Sequence, residues 1–241
     1  MESAVIGHKA APDEPPGYNT IAPYAPPDAY PPAAPIRSVD STVLKGVPPG
    51  LEYLIPVNQL SVRERFTVSQ GWSRSFDVLD AAGQRMFQAT QRVQCCGPVY
   101  DVMLTEPGGR DALHLLENCG CTCTRRVQVY DQAGGLLGYV QLHWSSMITH
   151  LSVMNQSSEV ILLILGPSFS TNIFGNVSFE VKSRDEQHVV GVIRNENEQF
   201  MVTFPADLDV TAKALLLGGC FYLDSLIYSK RKELLNRRSN D

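Results

Sequence analysis

The stretch Ala212–Tyr228, AKALLLGGCFYLDSLIY, limits the folds open to this chain more than any other. From Ala214 to Leu223 it carries no charge and is apolar on every side. A helix of that kind is either a bilayer span or the buried core of a domain. Ala214–Tyr228 falls short of the roughly 20 residues that cross a bilayer. Asp224 would cost about 3 kcal/mol at the bilayer centre. The flank after Tyr228 is basic and the flank Asp207–Lys213 is acidic, so a span would keep the C-terminus cytoplasmic. A large upstream domain without a secretory signal would be cytoplasmic too, and one span cannot satisfy both. The expectation is a buried helix over about 211–228, capped by Asp209 or Thr211, with the span as the alternative.

What could bury it lies upstream. Five segments alternate apolar and polar residues and break centrally at turn residues: 75–90, 99–118, 126–145, 150–166 and 176–195. Alternation with Asp, Asn, Gly or Ser at the break marks antiparallel hairpins. Strands at 57–68 and 199–204 bring the number to about twelve. So many strands in one array close into a barrel or split into sheets, and a twelve-stranded barrel is too wide for its own side chains to fill. The apolar helix is the candidate filler. Gly218 and Gly219 each cost about 1 kcal/mol of helix propensity, so a small pair in mid-helix predicts close approach of another backbone.

Residues 1–45 differ in kind. Nine of the chain's 16 prolines lie before residue 36, and no strand or helix period survives there. This leader is expected to be disordered, with polyproline II character. Pro15-Pro16-Gly17-Tyr18 is a PPxY sequence, so Pro15, Pro16 and Tyr18 are candidate ligands for WW- or SH3-type proteins; a plain solubilising linker is the other reading. A net charge of -5 argues against nucleic acid as the main partner. Bond-making chemistry has no motif to stand on: G-x-S-x-G, the P-loop, H-E-x-x-H and C-x-x-C are all missing from the sequence.

Five stretches then resemble one family. Pro48–Leu54 (PPGLEYL), Cys95-Cys96-Gly97-Pro98, Leu136–Trp144 (LLGYVQLHW), Phe179–Ile193 and Phe204–Phe221 match the phospholipid scramblase family in its order, over about residues 46–228. The resemblance implies a tubby-like fold, a twelve-stranded antiparallel barrel around a hydrophobic C-terminal helix. The expected organisation is a leader at 1–45, a barrel domain at 46–235 and a short polar tail at 236–241.

The resemblance also implies Ca2+-dependent, ATP-independent, bidirectional movement of membrane phospholipids, without bond chemistry, at the cytoplasmic face of the plasma membrane. On the positions of the family's calcium segment the candidate ligands are Glu196, Glu198 and Asp207, with Met201 where the loop would want glycine. A calcium loop needs 6 to 8 oxygens, and Gln199–Phe204 also reads as a strand. The family's palmitoylation cluster falls on Cys119, Cys121 and Cys123, beside Arg125-Arg126. Two acyl chains there would anchor the protein; a metal site with Cys95 and Cys96, or reduced loop thiols, are the rival readings. Lys230, Arg231 and Lys232 are candidate contacts for anionic lipid. Two functions stay open: a scramblase, or a peripheral lipid-binding adaptor that recruits WW proteins and flips nothing.

Overall fold

A computed structural model describes residues 46–65, 73–92, 100–117, 125–143, 148–168, 175–197 and 199–238. A 3-10 turn at Glu52–Leu54 precedes twelve strands: β1 Gln59–Arg65, β2 Arg74–Asp80, β3 Arg85–Gln91, β4 Tyr100–Thr105, β5 Asp111–Glu117, β6 Arg125–Asp131, β7 Leu136–His143, β8 Ile148–Asn155, β9 Val160–Pro167, β10 Val177–Ser183, β11 Val189–Glu196 and β12 Gln199–Thr203. One helix, α1, follows at Val210–Arg238. Each strand pairs antiparallel with its sequence neighbour, and β12 returns to β1 through Gln59↔Thr203 to Val62↔Phe200. The ring is closed. The five expected hairpins are β2–β3, β4–β5, β6–β7, β8–β9 and β10–β11.

Alternation decides which side chains face in. In β10, Val177, Phe179 and Val181 are buried while Ser178 and Glu180 are exposed. In β3, Phe87 and Ala89 point to the core between half-buried Gln88 and Thr90. Every residue of α1 from Ala212 to Leu223 is buried, in one apolar cluster with the inward side chains of all twelve strands. The helix is the filler that a ring of this width needs.

Antiparallel order sorts the connections onto two rims. One rim carries the five hairpin turns, four of one type and a fifth one residue longer. In the first, the Asp80 amide donates to the Gln84 carbonyl (2.9 Å) and the Gly83 amide to the Asp80 carbonyl (3.0 Å). The same pair of bonds recurs from Glu106, Asp131 and Asn155; in the fifth turn the Ser183 amide donates to the His188 carbonyl, five residues on, and the Glu186 amide to the Ser183 carbonyl. The fourth position is left-handed each time, at Gly83, Gly109, Gly134, Ser158 and Glu186. We call this the closed rim; β12 ends there, and α1 starts there. The opposite, exit rim receives the connections β1–β2, β3–β4, β5–β6, β7–β8, β9–β10 and β11–β12, and α1 leaves through it.

Three expectations change. The helix does not stop near residue 228 but runs 29 residues to Arg238, because Lys, Arg, Glu and Leu after Tyr228 are good helix formers. Val210–Arg237 is thus long and apolar enough to cross a membrane by length and composition, so shortness is no argument against a span; burial of its apolar part inside the ring is. Gly218 and Gly219 do not meet backbone. A Cβ at Gly218 would sit 3.1 Å from Val129 Cγ2, and one at Gly219 2.7 Å from Ile164 Cδ1, so the pair makes room for wall side chains. Lys213, counted as the one base in the flank Asp207–Lys213, is wholly buried.

Candidate functional site

The features that bear on function lie along α1, from its anchor to its exposed tip. At the closed rim, the Asp209 carboxylate accepts the Ala212 amide at 3.0 Å and caps the helix. One turn on, the Lys213 ammonium donates to the carbonyls of Ala206 (2.7 Å), Ile55 (2.9 Å) and Leu54 (3.1 Å). All three of its donors are used, and the Phe204 ring lies 5.6 Å away. Burial pushes the ammonium below the usual lysine range, partly offset by Asp207 and Asp209. Lys213 therefore ties the helix start to the chain on both sides of the barrel, at the 3-10 turn and at the β12–α1 link.

Near the exit rim a second ionic site holds the helix. Arg74, at the start of β2, forks onto Glu64 of β1 (Nε–Oε1 2.8 Å, Nη2–Oε2 2.7 Å) and reaches Asp224 of α1 through Nη1–Oδ2 at 2.7 Å. Its guanidinium also lies over Phe76 (4.8 Å) and Tyr228 (4.1 Å). Burial raises the Asp224 carboxyl above the usual range, and Arg74 partly offsets that. An acid amid buried leucines is tolerated because a buried base meets it. Beside it, Arg125 of β6 pairs with Glu117 of β5 at 3.3 Å, and the Tyr100 and Tyr222 rings pack at 5.8 Å.

Beyond Ile227 the helix leaves the core. Tyr228 and Leu235 expose 44% and 57% of their surface, and Ile148 at the start of β8 adds an exposed apolar side chain on the same rim. Lys230 and Arg237 both pair with Glu233 (2.8 and 2.7 Å), Arg231 is half-buried, and Lys232 is exposed. The three residues proposed for anionic lipid thus share one helical turn, on a tip that also shows apolar side chains. Such a mixed surface suits the interface of a membrane.

The calcium candidates do not converge. Glu196 is exposed at the exit rim, where it pairs with Gln199, and Asp207 is exposed at the closed rim. The five residues of β12 separate them by about 17 Å at the usual rise per strand residue. Glu198 lies outside the described residues. The residues present do not fit one calcium ion, because Gln199–Thr203 is a paired strand rather than a loop. Among the described residues no group of three or more His, Cys, Asp or Glu is placed to hold a metal.

Pro15, Pro16 and Tyr18 lie outside the described residues, as do Cys95, Cys96, Cys119, Cys121 and Cys123. The cysteine triplet belongs to the connection between Glu117 and Arg125, strand ends that stand at the exit rim. Cys220 is buried in α1 and its thiol is pushed up by burial, which makes it inert packing. The Lys213 anchor and the Arg74 site were not foreseen. Asp224 alone signalled a buried basic partner, and nothing local pointed to Arg74.

A family model described as Scramblase matches residues 38–230. The chain is similar to phospholipid scramblase 2 of Bos taurus, at 28% identity over 210 residues, 75% of this chain and 72% of that one. It is similar to phospholipid scramblase 2 of Homo sapiens, at 28% over 214 residues, 77% of this chain and 72% of that one. Phospholipid scramblase 1 of Homo sapiens matches at 28% over 210 residues, 75% of this chain and 66% of that one.

Proposed function

The chain belongs to the scramblase family, and from that premise we propose that it is a membrane-associated protein that moves phospholipids between the leaflets of a bilayer by a route without bond chemistry. The match over residues 38–230 carries this reading, since it takes in the whole barrel and most of the helix. Bidirectional movement, independence of ATP and dependence on Ca2+ belong to the proposal as properties the resemblance implies. No calcium ligand is assigned to Glu196 with Asp207, for the geometric reason given above. The cytoplasmic face of the plasma membrane is the proposed site of action. Attachment there is proposed through acylation of Cys119, Cys121 or Cys123 and through Lys230, Arg231 and Lys232.

The test is a reconstitution. Purified full-length protein in liposomes that hold a fluorescent lipid makes inner-leaflet label accessible to dithionite, and a Ca2+ titration of the rate measures the dependence. No accessible inner-leaflet label at any Ca2+ concentration sinks the proposal. Carbonate extraction of the wild type beside a Cys119/Cys121/Cys123→Ser variant separates the modes of attachment. An acyl anchor releases the variant alone, whereas a span keeps both in the pellet.

One observation favours the second reading, a lipid-binding adaptor that flips nothing. The apolar surface that a lipid path would use is enclosed, since Ala212–Leu223 is buried on every side. Under that reading the protein binds anionic liposomes in a salt-sensitive way, binding falls when Lys230, Arg231 and Lys232 are changed, and Pro15, Pro16 and Tyr18 recruit WW- or SH3-type partners.

A further inference from the structure

Cations gather on the outer wall of the barrel, away from the helix. Val62 and Phe76 point into the core, so Arg63 and Arg65 of β1 and Asp77 of β2 point out. Arg63 stands directly across from Asp77 in the strand register. Asp77 is 1% exposed; its Oδ2 accepts Arg65 Nε at 2.7 Å, and its Oδ1, without a hydrogen bond, lies 3.8 Å from Arg85 Nη1. Two guanidiniums therefore meet one buried carboxylate, and Arg63 stands across the register from it.

Two strands further round, Arg194 of β11 also points out, because Ile193 and Asn195 are buried. It pairs with Met201 of β12, which pairs in turn with Ser61 of β1. With strands about 4.8 Å apart and a rise of about 3.4 Å per residue, Arg63 and Arg194 stand roughly 12 Å apart at Cα, close enough for both side chains to reach one ligand. Both are exposed, and neither forms a hydrogen bond or ion pair among the described residues. With Glu196 at the rim and the Glu180–Lys182 pair of β10 counted, four guanidiniums and one ammonium face three carboxylates, in a chain whose net charge is -5.

We propose that this wall is a binding site for a phosphate-bearing anion, with Arg63 and Arg194 as its free ligands and Arg65 as a fixed one. The buried Asp77 positions the site. It takes Arg65 through Nε at 2.7 Å and holds the guanidinium before any ligand arrives. Fixed guanidiniums bind phosphate oxygens in pairs of hydrogen bonds and lose little freedom in doing so. A lipid headgroup and a free phosphate share this chemistry. The family reading enters only in making a lipid headgroup worth testing, and binding is measured here without lipid movement, so the two can fail separately.

The test uses the full chain and the variant Arg63→Gln/Arg194→Gln, whose residues are exposed and unpaired, so its melting temperature should stay at the wild-type value. One arm is co-sedimentation with vesicles of phosphatidylcholine alone or of phosphatidylcholine mixed with phosphatidylserine. The other is titration with inorganic phosphate, followed by chemical-shift changes at the arginine side chains. For a lipid source, the variant binds the mixed vesicles about 25-fold more weakly than wild type, as expected for removing two basic residues from an anionic surface, and the phosphatidylcholine vesicles show no difference. For a soluble source, wild type shows saturable shifts with phosphate that the variant lacks, and the vesicle arm is flat. Equal binding of wild type and variant in both arms overturns the site.

Discussion

The two rims of the barrel solve the same problem in opposite ways. At the closed rim, charge is met by backbone and near neighbours: each hairpin turn supplies its own acceptors, buried Lys213 has three carbonyls for its three donors, and buried Glu106 pairs with Arg110 of its own turn. At the exit rim, charge is met by other charged side chains. Arg74 meets Asp224 across 150 residues of sequence, and the helix goes on past the core with Tyr228 and Leu235 exposed. The difference teaches that the helix is fixed at its start and clamped by side-chain ion pairs at its exit. Motion of α1, if function uses any, begins at the exit.

Substitutions can break or sharpen this contrast. The largest effect belongs to the anchor: Lys213→Ala should cost about 3–5 kcal/mol, because the carbonyls of Leu54, Ile55 and Ala206 lose their donor and the buried space of the side chain is left empty. Urea denaturation measures this, and amide exchange should rise over the whole helix rather than its tip. Next comes Arg74→Met, expected at about 2–4 kcal/mol since Asp224 is left charged near the rim. Exchange should rise first beyond Leu223, with residues 212–217 unchanged; uniform loss of protection would erase the proposed asymmetry. Gly219→Val overfills the space in front of Ile164 and should cost about 1–3 kcal/mol by thermal melting. Asp80→Ala removes the acceptor for the Ala82 and Gln84 amides, 2.9 and 2.8 Å away, and should cost about 1 kcal/mol without touching the helix.

The smallest effect is one of pH. His143 and His150 stack at 4.5 Å on the outer wall, and His150 Nε2 is buried without a partner. Burial, with a contribution from His143, lowers the His150 pKa below the ordinary 6.5. The folded state then binds fewer protons than the unfolded state. Stability present above pH 6.5 is lost as pH falls toward the lowered folded value. A melting series from pH 7.5 down to about 5 should show this slope in wild type and a shallower one in His150→Gln; equal slopes would remove His150 from the account.

How much of this could be read from the chain follows the range of each interaction. The five hairpins were legible because both alternation and turn are written within some twenty neighbouring residues, as in Phe76–Phe87 around Asp80–Gly83. The filler helix was legible because no other element could bury LLLGGCFYL. Its end was misread, since Lys230-Arg231-Lys232 is equally a stop signal and good helix. The role of Lys213 was not legible, because only the fold brings Leu54 and Ile55 over it. Within 196–207 the strand at 199–204 was legible beside the calcium reading, and it is the strand that closes the ring and keeps Glu196 and Asp207 apart. The arginines of the outer wall come from β1, β2–β3 and β11, and no local pattern joins them.

Closure through β1 and β12 has a consequence for how the molecule is made. The first strand waits for the last, so no ring exists until the chain past Thr203 is available, and its slowest pairing spans about 140 residues, the long separation that slows folding. The helix comes later still. During synthesis the walls emerge before their filling, and the apolar helix follows them. Until the ring shuts around it, that segment is uncovered and long enough to enter a bilayer. Its two environments compete in time, and the order of assembly decides between them.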